Sequence, residues 1–99
     1  NIIMDIINFE WDENKNKTNQ QKHGISFEEA KTVFYDENAI LFDDPEHSED
    51  EERFLIIGIT TNEKICIVSH CYRDNDKKIR LISARKATKT ERKIYLENW

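Results

Sequence analysis

The sequence predicts an α+β fold: a small, largely antiparallel sheet with two N-terminal helices and one C-terminal helix. Three observations lead there. Four apolar runs occupy residues 39–44, 54–60, 65–72 and 79–84, and the last three are joined by short polar turns, which favours antiparallel pairing. Helix-start signatures stand at Asp12, Ser26 and Thr88. The chain has 99 residues, so residues 1–99 are read as a single domain with a radius of gyration of about 13 Å. A domain of this size buries only about two-thirds of its surface, so any functional site lies at or near that surface.

Each element follows from its residues. Ile7, Phe9 and Trp11 alternate with Asn8 and Glu10, the pattern of a first strand. Asp12 then opens a helix that runs to His23 without one apolar side chain, and Gly24 stands where a left-handed C-cap belongs. A helix polar all round has no core face of its own, so amides and alkyl stems must hold it, or it bridges to a partner. The second helix begins with a capping-box pair, Ser26 and Glu29, with Ile25 placed to staple onto Ala30. Phe27, Ala30, Val33 and Phe34 fall on one face, which packs on the sheet. Pro45 breaks the chain after the second strand, inside an acidic loop with seven carboxylates between residues 43 and 52. Thr88 and Glu91 form another capping box, opening a last helix through about Asn98. Helices are expected to cover one face or edge of the sheet.

Composition narrows the function. No apolar run approaches the ~18 residues of a membrane span, and no basic-then-apolar leader opens the chain. Two cysteines are too few for a disulfide scaffold. The expectation is a cytoplasmic protein with reduced thiols and no membrane contact. Met4 is read as the natural start, and residues 1–3 are set aside. The net charge of −5 is unevenly spread: residues 1–72 hold 6 Lys/Arg against 16 Asp/Glu, and residues 73–99 hold 9 against 4. Such asymmetry says more about partners than the total, although a solvated surface can segregate charge without consequence.

Metal binding is disfavoured by geometry. Cys66, His70 and Cys71 sit in a predicted strand whose side chains alternate, so Cys71 points away from the other two. Ser69 and His70 are strand neighbours and face opposite ways, which excludes a Ser–His nucleophile. The acidic loop lacks the glycine and spacing of a calcium hand. Basic residues are the stronger signal. Arg80 leaves its strand opposite Ile79 and Leu81, Arg85 ends that strand, and Arg73 ends the one before. Guanidinium forks suit phosphate oxygens, but each arginine could equally sit in a surface ion pair. Lys22-His23-Gly24 offers an imidazole that can move protons near neutral pH, or simply a helix C-cap. Glu91 could act as a base or only as the capping-box carboxylate.

Several pieces of the chain form one pattern: Phe9-Glu10-Trp11-Asp12, Lys15 with Asn19, Lys22-His23-Gly24, Ser26-Phe27-Glu28-Glu29-Ala30 and Val33-Phe34. Then come Asp50-Glu51-Glu52-Arg53, Gly58, Arg73, the run from Ile79 through Arg80-Leu81-Ile82-Ser83-Ala84 to Arg85, Ala87, Glu91-Arg92 and Tyr95. The Lys-His-Gly and Arg-x-Ile-Ser-Ala-Arg elements, in this order, are specific together and weak alone. Taken together, these residues resemble the BrnT toxin family. The resemblance implies a RelE-like fold and a metal-independent ribonuclease that slows growth and needs no cofactor. It also implies a BrnA-like antitoxin with a ribbon-helix-helix DNA-binding region, so that operator DNA is met only through the antitoxin complex. RNA cleavage by the 2′-hydroxyl needs a base, cations for the phosphorane and an acid for the leaving oxygen. On that reading Arg80 and Arg85 form the phosphate clamp, assisted by Arg73 or Arg53, and His23 and Glu91 are the proton-transfer candidates, with Lys22 and Tyr95 behind them. Lys22, Lys86, Lys89 and Tyr95 are expected to contact RNA. The alternatives are a non-catalytic RNA-binding or antitoxin-binding module and a transcriptional regulator. The acidic total and the lack of a helix-turn-helix pattern count against the regulator.

Overall fold

The computed structural model describes residues 7–47 and 51–98. Met4, residues 1–3 and residues 48–50 of the acidic loop lie outside the described residues. Five strands form one sheet in the order β1-β5-β4-β3-β2, with β1 Asn8–Glu10, β2 Ile40–Asp43, β3 Phe54–Ile59, β4 Ile65–Arg73 and β5 Lys78–Lys86. β2 to β5 pair antiparallel in chain order, whereas β1 pairs parallel with the start of β5. The β4–β5 turn is built from Asp74, Asn75 and Asp76, all with positive φ, which these short polar side chains tolerate.

The polar first helix forms as its caps dictate. Asp12 accepts the N–H groups of Asn14 and Lys15 at the start of α1, Glu13–His23, and Gly24 ends it at φ 72°. Two asparagines dock the helix. Asn16 Oδ1 accepts the Phe27 N–H at 2.8 Å. Asn19 Nδ2 donates to the carbonyls of Ile25 and Ala84, both at 2.9 Å, and its Oδ1 accepts the Ala84 N–H at 3.0 Å. β1 covers only Lys78 to Arg80 of the β5 edge. Beyond it, one buried amide replaces a neighbouring strand for Ala84. A helix without apolar side chains is thus fixed by hydrogen bonds that the sheet edge would otherwise lack.

The second helix changes type midway. α2 spans Phe27–Ala30 and continues as a 3-10 helix over Lys31–Tyr35. Only half of its capping box forms. Ser26 accepts the Glu29 N–H, but the Glu29 carboxylate turns to the Thr60 hydroxyl and the Lys64 ammonium. Ile25, Phe27, Ala30 and Val33 pack on Ile56, Val68, Ile79, Leu81 and Ala84 to make the main core. Gly58 lets Val33 approach, since a Cβ there would lie 2.8 Å from Val33 Cγ1. α3, Lys89–Glu97, carries a complete capping box between Thr88 and Glu91. It lies on the other face, where fully buried Tyr95 packs on Ile57 and Ile67. Helices therefore cover both faces, not one.

Candidate functional site

One irregularity in β5 organises the site. Ser69 pairs with Ser83 and His70 with Leu81, which leaves Ile82 without a partner across β4. This bulge shifts the alternation of β5 by one residue. Without it, Arg80 and Arg85 would face opposite ways, being five positions apart. With it, Lys78, Arg80, Ser83 and Arg85 share the face that carries α3. Their partners across β4 are Arg73, Cys71, Ser69 and Ile67. Their partners Cys71 and Ile67 are four residues apart on β4, so the backbones of the two arginines stand about 13 Å apart along the strand, at ~3.3 Å per residue. The two guanidinium groups are held by different carboxylates, Arg80 by Glu10 and Arg85 by Glu91.

Each arginine on this face already holds a carboxylate. Arg85 binds Glu91 through both ends of its fork, at 2.8 and 2.9 Å. Arg80 binds Glu10 at 2.9 Å, and Lys78 reaches the same carboxyl group at 3.8 Å. Arg73 binds Glu51 at 3.1 Å. Ion pairs open to solvent add little to stability, so a phosphate chain can compete for these cations. The Arg85 pair differs in geometry and surroundings. The Arg85 hydrogen bonds push the Glu91 carboxyl down to about 2, and Glu91 in turn raises the Arg85 guanidinium. Glu91 Oε1 also accepts the Thr88 N–H, so the carboxylate is fixed by the α3 cap at the same time. Arg53 stands half-buried just ahead of β3, with its carbonyl accepting the Asp44 N–H.

His23 and Lys22 lie at the edge of the sheet. With Asn14, Lys15, Thr18, Ile82 and Ser83 they line a shallow hollow of about 320 Å³. Ser83 belongs to both this hollow and the arginine face, which makes the two surfaces contiguous. His23 makes no side-chain hydrogen bond among the described residues, so its ring nitrogens are available to a ligand.

Three expected RNA contacts do not join this surface. Tyr95 is fully buried, and its hydroxyl donates to Asp36, so its role is structural. Lys86 follows Arg85 in β5 and leaves on the opposite face. Lys89 points outward from α3, away from the arginines, beside Ile65. Sequence reasoning assigns no site role to Lys15, Ser83 or Lys78, all of which the fold brings to this surface. The phase change from Leu81 to Ala84 is the available signal for the bulge that exposes Ser83.

His70 and the two cysteines belong to the buried interior. His70 is fully buried against Phe34, with Nδ1 3.1 Å from the Val68 carbonyl, and burial lowers its pKa. Cys66 lies within the main core. Cys71 stands opposite Arg80 on the other face from His70, as the strand alternation predicts. No group of three or more His, Cys, Asp or Glu among the described residues is placed to hold a metal ion. A larger hollow of about 640 Å³ is lined by Glu51, Glu52 and Asp76 with Phe54 and Tyr72. Its three carboxylates would repel a phosphate chain, so size does not make it the RNA site. No helix among the described residues is long and apolar enough to cross a membrane.

Comparisons with known proteins agree on one kinship. The family model described as ribonuclease toxin, BrnT, of type II toxin–antitoxin system matches residues 11–91. The fold is similar to that in the 1.1 Å crystal structure of the Brucella abortus ribonuclease toxin BrnT, with a TM-score of 0.64 and 26% identity, covering 85% of this chain and 99% of that one. No curated protein sequence matches the chain.

Proposed function

Because the chain belongs to the BrnT family of ribonuclease toxins of type II toxin–antitoxin systems, we propose that it cuts RNA itself, without a metal ion, at the arginine-bearing face of β5. Cleavage in the cytoplasm would slow translation and growth until a cognate antitoxin silences the toxin. A BrnA-like antitoxin with a ribbon-helix-helix region would carry the pair to operator DNA. The observation that supports this reading most is the bulge at Ile82, which aligns Arg80, Ser83 and Arg85 on one face.

The chemistry divides among named groups. When the 2′-hydroxyl attacks, charge develops on the non-bridging phosphate oxygens, and a preorganised guanidinium stabilises it. Arg85 fits this role because Glu91 fixes its plane while using only two of its five N–H donors. Glu91 is then a positioning residue rather than a base, since a carboxyl held near 2 is a poor proton acceptor. His23 is the proton-transfer group, at the edge of the hollow next to Ser83: its ring takes the 2′-hydroxyl proton and returns one to the leaving 5′-oxygen. Arg80 and Lys78 hold a flanking phosphate, Arg73 and Arg53 add positive potential, and Lys22 and Lys15 guide the chain along α1.

The test is incubation of the purified protein with single-stranded RNA in excess EDTA. The expected products are fragments with 2′,3′-cyclic phosphate ends. Cleavage that stops in EDTA and returns with Mg²⁺, in protein that stays folded, would overturn the metal-free reading. The ion pairs at all three arginines favour one rival, a binding module without chemistry. Intact RNA retarded on a gel would support that rival.

A further inference from the structure

α3 has an outer stripe that neither the core nor the arginine face uses. Lys89, Arg92, Lys93 and Leu96 are spaced i, i+3, i+4 and i+7, so they stand on one side of the helix. With Ile65 at the start of β4, Thr90 and Glu97, they line an open groove of about 830 Å³. Leu96 is 53% exposed there. A neighbouring hollow, which shares Ile65 and Arg92, adds Lys86, Glu63 and Lys64, the last paired with Glu29.

The charges here differ from those on the arginine face. Arg73, Arg80 and Arg85 each hold a carboxylate, but Lys86, Lys89, Arg92 and Lys93 form no ion pair among the described residues. In a chain of net charge −5, Lys89, Arg92 and Lys93 stand around an apolar floor of Ile65 and Leu96 and outnumber the one carboxylate of the lining, Glu97. Their ligand must supply both carboxylates or phosphates and apolar groups. RNA answers only the first need. Single strands bind by stacking bases on aromatic rings, and none of the residues lining this groove is aromatic. A peptide segment with apolar side chains flanked by carboxylates meets both needs.

We propose that this groove docks an acidic amphipathic segment of the antitoxin, an assignment that rests on the toxin–antitoxin reading above. Leu96 and Ile65 receive the apolar side chains, and Lys89, Arg92 and Lys93 pair with the carboxylates. The antitoxin then engages α3 beside the RNA face, next to the turn that carries Glu91. Lys89, expected from the sequence to bind RNA, belongs to this surface instead, and Lys86 lines only the neighbouring hollow.

The cognate antitoxin, taken as the protein whose coexpression restores growth, is titrated calorimetrically against the wild type, Leu96→Asp and the double variant Arg92→Glu/Lys93→Glu. All three substituted side chains are exposed, and circular dichroism confirms folding. Free RNA cleavage by each protein is measured in parallel. Each variant is expected to bind the antitoxin roughly tenfold or more weakly, while cleaving RNA at the wild-type rate. The wild-type affinity should fall with added salt, and that dependence should shrink in the double variant. Unchanged antitoxin affinity in both variants overturns the proposal. So does weakened RNA binding with antitoxin binding intact, which would make the groove an RNA surface. A wild-type protein that binds antitoxin but leaves RNA whole would count against the ribonuclease reading and not against the groove.

Discussion

Arg85→Ala is expected to slow RNA cleavage by roughly 10²–10³-fold while the protein stays folded, the usual loss when a preorganised charge donor is removed. The expectation rests on the fixed fork. Glu91 holds Arg85 through two bonds and is itself held by the Thr88 cap, so the guanidinium need not reorganise as charge develops. Arg85→Lys keeps the charge but loses the planar fork, and should recover only a small part of the rate. The pair also sets a pH window. The Glu91 carboxyl is depressed in the folded state, so its contribution to stability is complete above the ordinary carboxylate range. It is lost as the pH falls toward about 2. Activity near neutral pH should therefore not titrate with Glu91. Initial rates on a defined RNA, with circular dichroism as the folding control, measure these effects. A folded Arg85→Ala protein at the full wild-type rate would remove Arg85 from the site.

Asn19→Leu is expected to destabilise the fold by about 3–5 kcal/mol. Leucine fills a similar volume but leaves the Ala84 N–H and the Ala84 and Ile25 carbonyls without their partner, and each orphaned buried group costs ~1–3 kcal/mol. Domains of this kind hold only about 5–15 kcal/mol in total, so the loss is a large share. Urea denaturation reads it as a midpoint lower by roughly 2 M, for a slope of 1–3 kcal/mol/M. Asn19→Asp keeps the acceptor for the Ala84 N–H but turns a carboxylate toward two carbonyls, and should also destabilise. An Asn19→Leu protein within about 0.5 kcal/mol of wild type, inside the range of ordinary surface changes, would mean that α1 is held by something other than this amide.

What the sequence reveals follows the range of the forces involved. Caps act over three or four residues, so Asp12, Gly24 and the Thr88–Glu91 box are legible, as are the alternating runs of β3, β4 and β5. Long-range choices are not. Nothing local tells β1 to lie parallel on β5, or sends α3 to the face opposite α1 and α2. The requirement that amides hold the polar helix can be read from composition, but not that Asn16 and Asn19 supply them. The same limit governs the site. Arg80, Arg85, Glu91 and His23 stand out by residue type and position. Their grouping depends on one extra residue, Ile82, whose effect shows in the sequence only as a slip in apolar phase. Tyr95 is expected from the sequence to contact RNA, yet its place one helical turn after Glu91 sets it on the inner face of α3. Lys86 and Lys89 stand out through charge alone, and alternation and helical phase turn both away from the arginines.

Whether RNA lies along Lys78, Arg80, Ser83 and Arg85 is tested most directly by nuclear magnetic resonance. The labelled protein is titrated with a 2′-O-methyl RNA oligomer, which cannot be cut because its attacking hydroxyl is blocked. The expected result is that the guanidinium Nε–H signals of Arg80 and Arg85 and the amides of Ile82 and Ser83 move together, with His23 shifting beside them. Shifts confined to the outer stripe of α3 or to the acidic hollow at Glu51 and Asp76, with Arg80 and Arg85 unmoved, would contradict the assignment of the β5 face.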